Sequence, residues 1–344
     1  MKPKSLIVDT IVISIFSILF FLTIDIFITK LLRIRGHFKF FESNVHSGFI
    51  LKRNFSARFG GPLDQFSSLV NTTKYGTRVV ESNECKVSEN MNKENIIFVG
   101  DSMLAGLEVS DFDHYASRIK NLCLTKGSII NGGVRGTDTH MATANASRII
   151  NEYQFSEYSS KIIYGVTLND FSENLRKGDK QGLKSKFGYI FNNVRYKPKE
   201  NLRFINFKIF LSDNFYFTKH LIKILSNNRG EHNIYHSEIK NFQCKQLASI
   251  LDNTIKAKSL KSDFYVFIHP TFSNFKNSEK AEECLRKELN NYENISFLPL
   301  HNELKKILPK SLNTEDLYFI NDNHYNENGH DLISKALFFV LKDL

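Results

Sequence analysis

Short apolar runs alternate with longer amphipathic stretches from residue 95 to residue 344. Five runs rich in Ile, Val and Phe are typical of strands buried on both faces; they cover residues 96–99, 128–130, 161–166, 264–268 and 295–298. Apolar residues at helical spacing lie between and after them, at residues 114–124, 138–153, 239–260 and 329–344. This alternation predicts a flavodoxin-like three-layer α/β/α sandwich with a mostly parallel five-stranded sheet.

A different pattern occupies residues 6–29, which are almost continuously apolar. The charges in this run are Asp9 and Asp25, and each lies near one end. About 20 apolar residues span a bilayer at roughly 1.5 Å per residue, so we predict one N-terminal transmembrane helix. A cleaved signal peptide is the alternative, but it would have a shorter apolar core and a small-residue cleavage site, whereas Lys30-Leu31-Leu32-Arg33 follows here.

The remaining sequence divides around the anchor and the α/β pattern. Residues 30–94 are mixed and poorly periodic, which predicts a juxtamembrane stalk and a lead-in segment that packs on the domain at residues 95–344. That domain has an insertion at about residues 173–236. Within it, residues 176–208 contain ten Lys or Arg and two acidic residues. This stretch is either a solvated basic face or a cap that meets anionic lipid headgroups or an acidic glycan.

Composition sets wide limits on function. The chain has 344 residues, a net charge of +10 and 42% hydrophobic residues, so it can bury a sizeable core. Nucleic acid is not expected as the partner, because the sequence has no helix-turn-helix, zinc-finger or RNP signature and carries an apolar anchor. Four cysteines, at positions 85, 123, 244 and 284, lack CxxC spacing, so no structural zinc site is expected. Free thiols and disulfides both remain open.

Polar residues follow the apolar runs at the strand ends. Ligands of an open parallel α/β sheet bind at the carboxyl ends of the strands. Residues 100–102, with the sequence Gly-Asp-Ser, follow the first run, and a glycine-rich loop containing Gly136 follows the second. Asn169 follows the third run, and Asp322 and His324 precede the last helix. The pattern predicts one site at this edge of the sheet.

These residue types suit acyl transfer to a serine. Ser102 lies where a helix starts, and the free N–H groups there favour negative charge on a reacting group. The Asn169 amide can donate to an oxyanion, and Asp322, two residues before His324, can orient the imidazole. Each residue alone also fits a helix cap or a surface loop, and His330 is a competing histidine. The order of the residues at successive strand ends favours the catalytic interpretation.

The same residues resemble the motif blocks of the SGNH (GDSL-type) hydrolase superfamily over residues 95–344. The matching residues are Gly100-Asp101-Ser102, Gly136, Asn169 and Asp322-Asn323-His324. Residues 71–78 are similar to the lead-in of membrane-anchored bacterial members. The resemblance therefore implies a serine hydrolase fold with the insertion as an addition.

The acid and the oxyanion-hole glycine each have two candidates in this sequence. One residue separates Asp322 from His324, where many members have two, so Asp316 is an alternative acid. In the second block the family pattern favours Gly136 over Gly133, because Gly136 directly precedes Thr137.

The resemblance also implies a mechanism. Ser102 attacks an ester carbonyl, His324 is the general base, and Asp322 supports the imidazolium. The backbone N–H groups of Ser102 and Gly136 and the Asn169 side chain form the oxyanion hole. Water as acceptor makes the protein an esterase, and a sugar hydroxyl makes it an O-acyltransferase. No metal or organic cofactor is expected.

The anchor and the resemblance together indicate an acylated glycan or lipid-linked sugar as substrate. We expect acyl, most simply acetyl, esters of cell-envelope glycans and an extracytoplasmic domain, periplasmic or at the cell surface. The charges that flank the anchor lean slightly the other way. The oligomeric state stays open. The alternative functions are a non-catalytic glycan- or partner-binding module on an SGNH-like fold, and a purely structural protein.

Overall fold

Helix α1, Pro3–Leu31, is the first element of the chain in the computed structural model. The described residues are 3–35, 37–44, 47–61, 63–82, 93–171, 214–225, 239–271, 275–308, 314–319, 322–342 and 344. The segment Val8–Leu31 is long and apolar enough to cross a membrane, and 6% of its most apolar window is buried. The predicted apolar helix is therefore present, although its length and composition also fit a signal sequence.

Five short strands follow α1 and pack on the domain. They are β1 (Ile34–Arg35), β2 (Phe41–Asn44), β3 (Gly48–Leu51), β4 (Ser56–Gly60) and β5 (Ser67–Asn71). β4 pairs parallel with β1 and antiparallel with β5, while β2 and β3 form a separate antiparallel pair. Phe40 and Phe49 from this segment share a buried cluster with Leu107 and Val134 of the domain. Apolar burial thus fixes a segment whose sequence pattern is weak.

A parallel sheet of five strands lies at the centre of the domain. Its strands are β6 (Asn95–Gly100), β7 (Ile129–Asn131), β8 (Ser160–Val166), β9 (Asp263–Ile268) and β10 (Ile295–Phe297). They lie in the order β10-β9-β8-β6-β7 and all neighbours are parallel. In chain order this is 2-1-3-4-5, the flavodoxin-like order, which confirms the predicted fold class.

Helices cover both faces of the sheet. They are α2 (Ser102–Ala105), α3 (Tyr115–Asn121), α4 (Thr139–Tyr153), α5 (Tyr216–Leu225), α6 (Asn241–Ala257), α7 (Phe275–Leu289), α8 (Leu300–Ile307) and α9 (Glu327–Leu341). One face packs on α4, α6 and α7, and the other on α3, α8 and α9. A hairpin of β11 (Tyr318–Phe319) and β12 (Asp322–Tyr325) precedes α9. The predicted helices are confirmed, with ends shifted by a few residues.

The cysteines and the insertion were left open by the sequence. A disulfide joins Cys244 of α6 to Cys284 of α7, with 6.0 Å between the Cα atoms. Cys123 is also disulfide-bonded, and no cysteine is free among the described residues. Disulfides therefore replace the free-thiol interpretation. In the insertion, α5 is described, whereas the basic stretch at residues 176–208 lies outside the described residues.

Candidate active site

The predicted site lies where the order of the sheet reverses. β6 lies between β7 and β8 in the sheet. The connection after β6 therefore runs to one side of the sheet, and the connection after β8 runs to the other side. Loops that diverge in this way open a crevice at the carboxyl ends of the strands. Asp101 and Ser102 follow β6, and Asn169 follows β8. The crevice therefore brings the first and third predicted strand ends together.

Two paired glycines allow the ends of β6 and β8 to lie close. Gly100 is opposite Gly165 in the register, and a Cβ on Gly100 would lie 2.7 Å from the Gly165 carbonyl oxygen. A Cβ on Gly165 would lie 2.5 Å from Nε2 of His269. Larger residues would push these strand ends apart. The glycine before Asp101 thus closes the sheet and lets α2 begin immediately.

Asp101 links the first strand end to the third. It caps α2 by accepting the Met103 N–H at 3.2 Å, and its other oxygen accepts from the Asn169 amide and the Thr167 hydroxyl, each at 3.2 Å. Burial raises the pKa of Asp101, while these hydrogen bonds and the nearby His324 act in the opposite direction. Asp101 therefore holds the Asn169 amide beside the start of α2.

Ser102 is the first residue of α2 and is half-buried. Its hydroxyl forms no hydrogen bond with another described residue. The helix ends after one turn at Gly106, whose φ of 51° lies in the left-handed region. A serine at the start of such a short helix lies among N–H groups that have no partner within the helix.

The turn that contains Gly136 is tied to the end of β6. Val134 donates its N–H to the Gly100 carbonyl at 3.0 Å, and the Thr137 hydroxyl donates to the same oxygen at 3.1 Å. Gly136 has a φ of 74°, a conformation that favours glycine. Gly133 has a packing role, because a Cβ there would lie 2.5 Å from a backbone nitrogen of α2. Gly136 is therefore required by its backbone conformation, whereas Gly133 is required by the close packing of α2.

His324 reaches the site on the β11–β12 hairpin. Tyr318 and Tyr325 anchor this hairpin by donating their hydroxyls to the Pro270 carbonyl, at 2.8 and 2.9 Å. Cα atoms of β12 and α2 approach within 8 Å, and the His324 side chain is 12% exposed. The beginning and the end of the domain therefore lie close together at the crevice.

Glu108 is a carboxylate that the sequence analysis missed. Its Oε1 lies 3.6 Å from Nδ1 of His324 and forms an ion pair with Arg135, and its side chain is fully buried. Its Oε2 has no hydrogen-bond partner in the described part of the chain. The available signal was a charged residue between Leu107 and Val109, just past the serine turn.

The sequence analysis named Asp322 as the acid and Asp316 as its alternative, and the structure describes the side chain of Asp316 alone of these two. Asp322 lies on β12, two residues before His324, but its side chain is outside the described residues, so its contact with the imidazole stays a prediction. Asp316 is exposed, and its carbonyl accepts from the Asn326 amide. Glu108 is thus a carboxylate that lies within 4 Å of the His324 imidazole among the described side chains.

Three further histidines, His114, His269 and His330, form a buried trio beneath the crevice. Burial is the main cause that lowers their pKa values, to about 3 for His269, so all three are neutral at pH 7. His330, the competing histidine, accepts the Tyr115 N–H at 3.3 Å. His269 directly follows the fourth apolar run, which is one of two strand ends that the sequence analysis did not consider.

A buried arginine fixes the segment that follows the serine. Arg78 donates to the Asp111 carboxylate at 2.8 Å and to the Ala105 and Val109 carbonyls at 2.9 and 2.6 Å. Its side chain is fully buried. A guanidinium can satisfy several acceptors in one plane. The segment at residues 71–78 therefore braces the turn between Ser102 and Glu108.

Together these groups supply what acyl transfer needs: a hydroxyl, an imidazole, a carboxylate and amide donors. Within the described ranges, no cluster of three or more His, Cys, Asp or Glu side chains could hold a metal ion. At the crevice a serine hydroxyl and an imidazole are carried by the neighbouring elements α2 and β12.

Comparison with known proteins finds similarity in solved structures. No protein-family profile and no curated protein matches the sequence. LAE5, an α/β hydrolase enzyme from the metagenome of Lake Arreo, Spain, is 9% identical with a TM-score of 0.42, over 73% of this chain and 96% of that one. A two-domain esterase active on acetylated mannans is 13% identical with a TM-score of 0.39, over 73% and 48%. A lipolytic protein of the G-D-S-L family from Desulfitobacterium hafniense is 11% identical with a TM-score of 0.35, over 72% and 98%.

Proposed function

We propose that this protein is a membrane-anchored serine esterase or O-acyltransferase of the SGNH type. The observation that carries the proposal is that β12, the strand of His324, approaches α2, the helix that begins at Ser102, to within 8 Å between Cα atoms. Ser102 lies beside an amide that Asp101 holds, and the hairpin of His324 is braced against Pro270, just past β9. A chain that used these residues only as caps would not need an imidazole at the same strand edge.

In the proposed mechanism, the Ser102 hydroxyl attacks the ester carbonyl and gives its proton to His324. Backbone N–H groups of Ser102 and Gly136 and the Asn169 amide stabilise the oxyanion. An amide nitrogen carries two donors, so the bond from Asn169 to Asp101 is compatible with a second one to the oxyanion. The carboxylate that supports the imidazolium is Asp322 or Glu108. The ester bond then breaks, His324 gives its proton to the leaving alcohol, and the acyl group stays on Ser102. Water or a sugar hydroxyl, deprotonated by His324, attacks this acyl group and releases Ser102 with its proton restored.

The substrate that we propose is an acyl ester, acetyl in the simplest case, of a cell-envelope glycan or a lipid-linked sugar. The apolar helix α1 supports a substrate close to a membrane. The disulfide between α6 and α7 supports an extracytoplasmic domain, because disulfides persist in oxidising compartments. In this proposal the domain is periplasmic or at the cell surface.

Labelling with a fluorophosphonate probe tests the proposal on the full chain in detergent. We expect wild type to be labelled and to hydrolyse p-nitrophenyl acetate, and Ser102→Ala to lose both properties. An unlabelled wild type that still binds acidic glycan would favour the binding-module alternative. Hydrolysis that survives Ser102→Ala would exclude this serine as the nucleophile.

Ser278 provides a matched control for this experiment. Its hydroxyl lies 2.9 Å from Nε2 of His301, and Nδ1 of His301 lies 2.5 Å from Glu282, so the three form a second Ser-His-Glu arrangement. This serine is fully buried and donates to the Phe275 carbonyl at 2.9 Å. A probe cannot reach it, so Ser278→Ala should leave labelling unchanged.

A screen of acetylated sugars, with and without sugar acceptors, then separates esterase from transferase.

A further inference from the structure

Two polar side chains of helix α1 are buried, although most of the helix is apolar and exposed. Phe27 is 66% exposed and Ile24 is 39% exposed, as expected for a surface that meets lipid. Asp25 and Thr29, one turn apart on the same helix, are 1% and 0% exposed. A carboxylate that is buried within a membrane-length helix requires a partner, because an unpaired charge at that depth is costly.

The partner is the N-terminus of α5. Phe217 and Thr218 donate their backbone N–H groups to the Asp25 carboxylate at 3.0 and 2.7 Å, and the Thr218 hydroxyl donates to it at 2.6 Å. Tyr216 donates its N–H to the Thr29 hydroxyl at 3.2 Å. Asp25 therefore acts as an N-cap supplied by another helix, with the carboxylate at the positive end of the α5 dipole.

The depth of this contact matters for α5. Asp25 lies six residues before the end of the span Val8–Leu31, which is about 9 Å along the helix axis. At this level, backbone donors that water does not reach must be satisfied within the protein. The free N–H groups of α5 and the carboxylate of α1 each supply what the other lacks. The beginning of α5 therefore lies at the same level as the last turns of the membrane span.

The other side of α5 contacts the lead-in segment that precedes the domain. The Tyr216 hydroxyl accepts the Leu63 N–H at 2.7 Å, and Nε2 of His220 lies 3.2 Å from the Asp64 carboxylate. Both partners lie in the turn between β4 and β5. Leu221, in the middle of α5, remains 48% exposed. The helix thus contacts both α1 and the turn between β4 and β5, and it still presents the apolar side chain of Leu221 outward.

We propose that α5 is a second membrane-contacting element, an interfacial helix that Asp25 holds against α1 with Leu221 toward the lipid. Because α5 packs directly against α1, whose exposed apolar segment is long enough to span a membrane, the bilayer is the occupant that we propose for this surface. The proposal requires that α1 is retained as an anchor, since removal of residues 1–31 would leave the N-terminus of α5 without its cap. It does not depend on hydrolase activity.

Tryptophan fluorescence provides a direct test, because the chain contains no tryptophan. Leu221→Trp, introduced into the full chain in phosphatidylcholine vesicles, should give blue-shifted emission that brominated phosphatidylcholine quenches. Bromines near the headgroup should quench more than bromines deep in the acyl chains. Tyr158→Trp is the matched control, because Tyr158 is 79% exposed on the catalytic domain. Emission from the Leu221→Trp protein that brominated lipid quenches no more than the control would overturn the proposal.

The role of Asp25 is tested in the same background. Asp25→Leu removes the acceptors of the α5 N-terminus and should reduce quenching of the tryptophan at position 221. Asp9→Asn, which changes the other acidic residue of α1, should leave the quenching unchanged. A spectrum and quenching identical to those of the parent in Asp25→Leu would show that this carboxylate does not hold α5. If the protein isolated from its natural membrane lacks residues 1–31, α1 is cleaved and the proposal fails.

Discussion

Replacement of Glu108 by Gln tests whether this carboxylate supports the proposed base. The change keeps the size of the side chain and removes its negative charge. In wild type, Oε1 lies 3.6 Å from Nδ1 of His324 and both side chains are shielded from water. A positive charge that develops on the imidazole during the attack by Ser102 would be stabilised by Glu108. The amide would supply a dipole in place of that charge.

The distance sets the size of the effect. Two unit charges 3.6 Å apart attract by about 4–5 kcal/mol at an effective dielectric constant of about 20. Arg135 is paired with the same carboxylate oxygen and cancels part of this attraction. We therefore expect a loss of roughly 1.4–2.7 kcal/mol of transition-state stabilisation, or about 10- to 100-fold in kcat/KM. The loss should fall mainly on kcat, because the imidazolium forms only during reaction.

The assay is p-nitrophenyl acetate hydrolysis by the full chain, with urea unfolding measured in parallel. Glu94→Gln is the control, because Glu94 is paired with Lys161 at the amino end of the sheet, away from the crevice. It should keep the wild-type rate. A folded Glu108→Gln enzyme with kcat/KM within about twofold of wild type would refute the role of Glu108. Asp322 would then remain the candidate acid.

Three other changes follow from the site and its surroundings. Asn169→Ala should lower kcat by about 10²–10³ with little change in KM, measured by steady-state hydrolysis, since it removes an oxyanion donor; an unchanged kcat would remove Asn169 from the oxyanion hole. Cys244→Ser should lower the free energy of unfolding by about 2–4 kcal/mol in urea titrations, and a reductant should lower it more in wild type than in the variant, which keeps the disulfide of Cys123. The buried histidine trio should make the protein acid-sensitive, because below pH 6.5 the unfolded chain binds protons that the folded chain does not. Unfolding free energy should therefore fall by up to about 1.4 kcal/mol per pH unit for each histidine between pH 6.5 and pH 5, partly offset by the raised pKa of Asp101. Stability that is flat or higher at pH 5 would contradict this.

The sequence by itself determined the five central strands, their parallel sheet and the long helices that lie between them. Runs such as residues 161–166 encode their own burial, because a strand covered on both faces must be apolar at every position. The polar residues after these runs could be recognised because the carboxyl ends of parallel strands share one edge of the sheet. Ser102 and His324 could therefore be predicted to approach each other, although 222 positions separate them.

Tertiary structure alone decided which groups surround these residues. Glu108 has no periodicity or motif that distinguishes it from a surface glutamate; its burial beside Arg135 and His324 depends on how three separate loops pack. The same holds for the cap that Asp25 gives to α5 and for the pairing of Cys244 with Cys284. A local sequence pattern predicts whether a residue is buried, because buried positions favour apolar residue types. It does not predict which distant residue the buried side chain will contact. Partners come from distant parts of the chain and are specified only when the layers close.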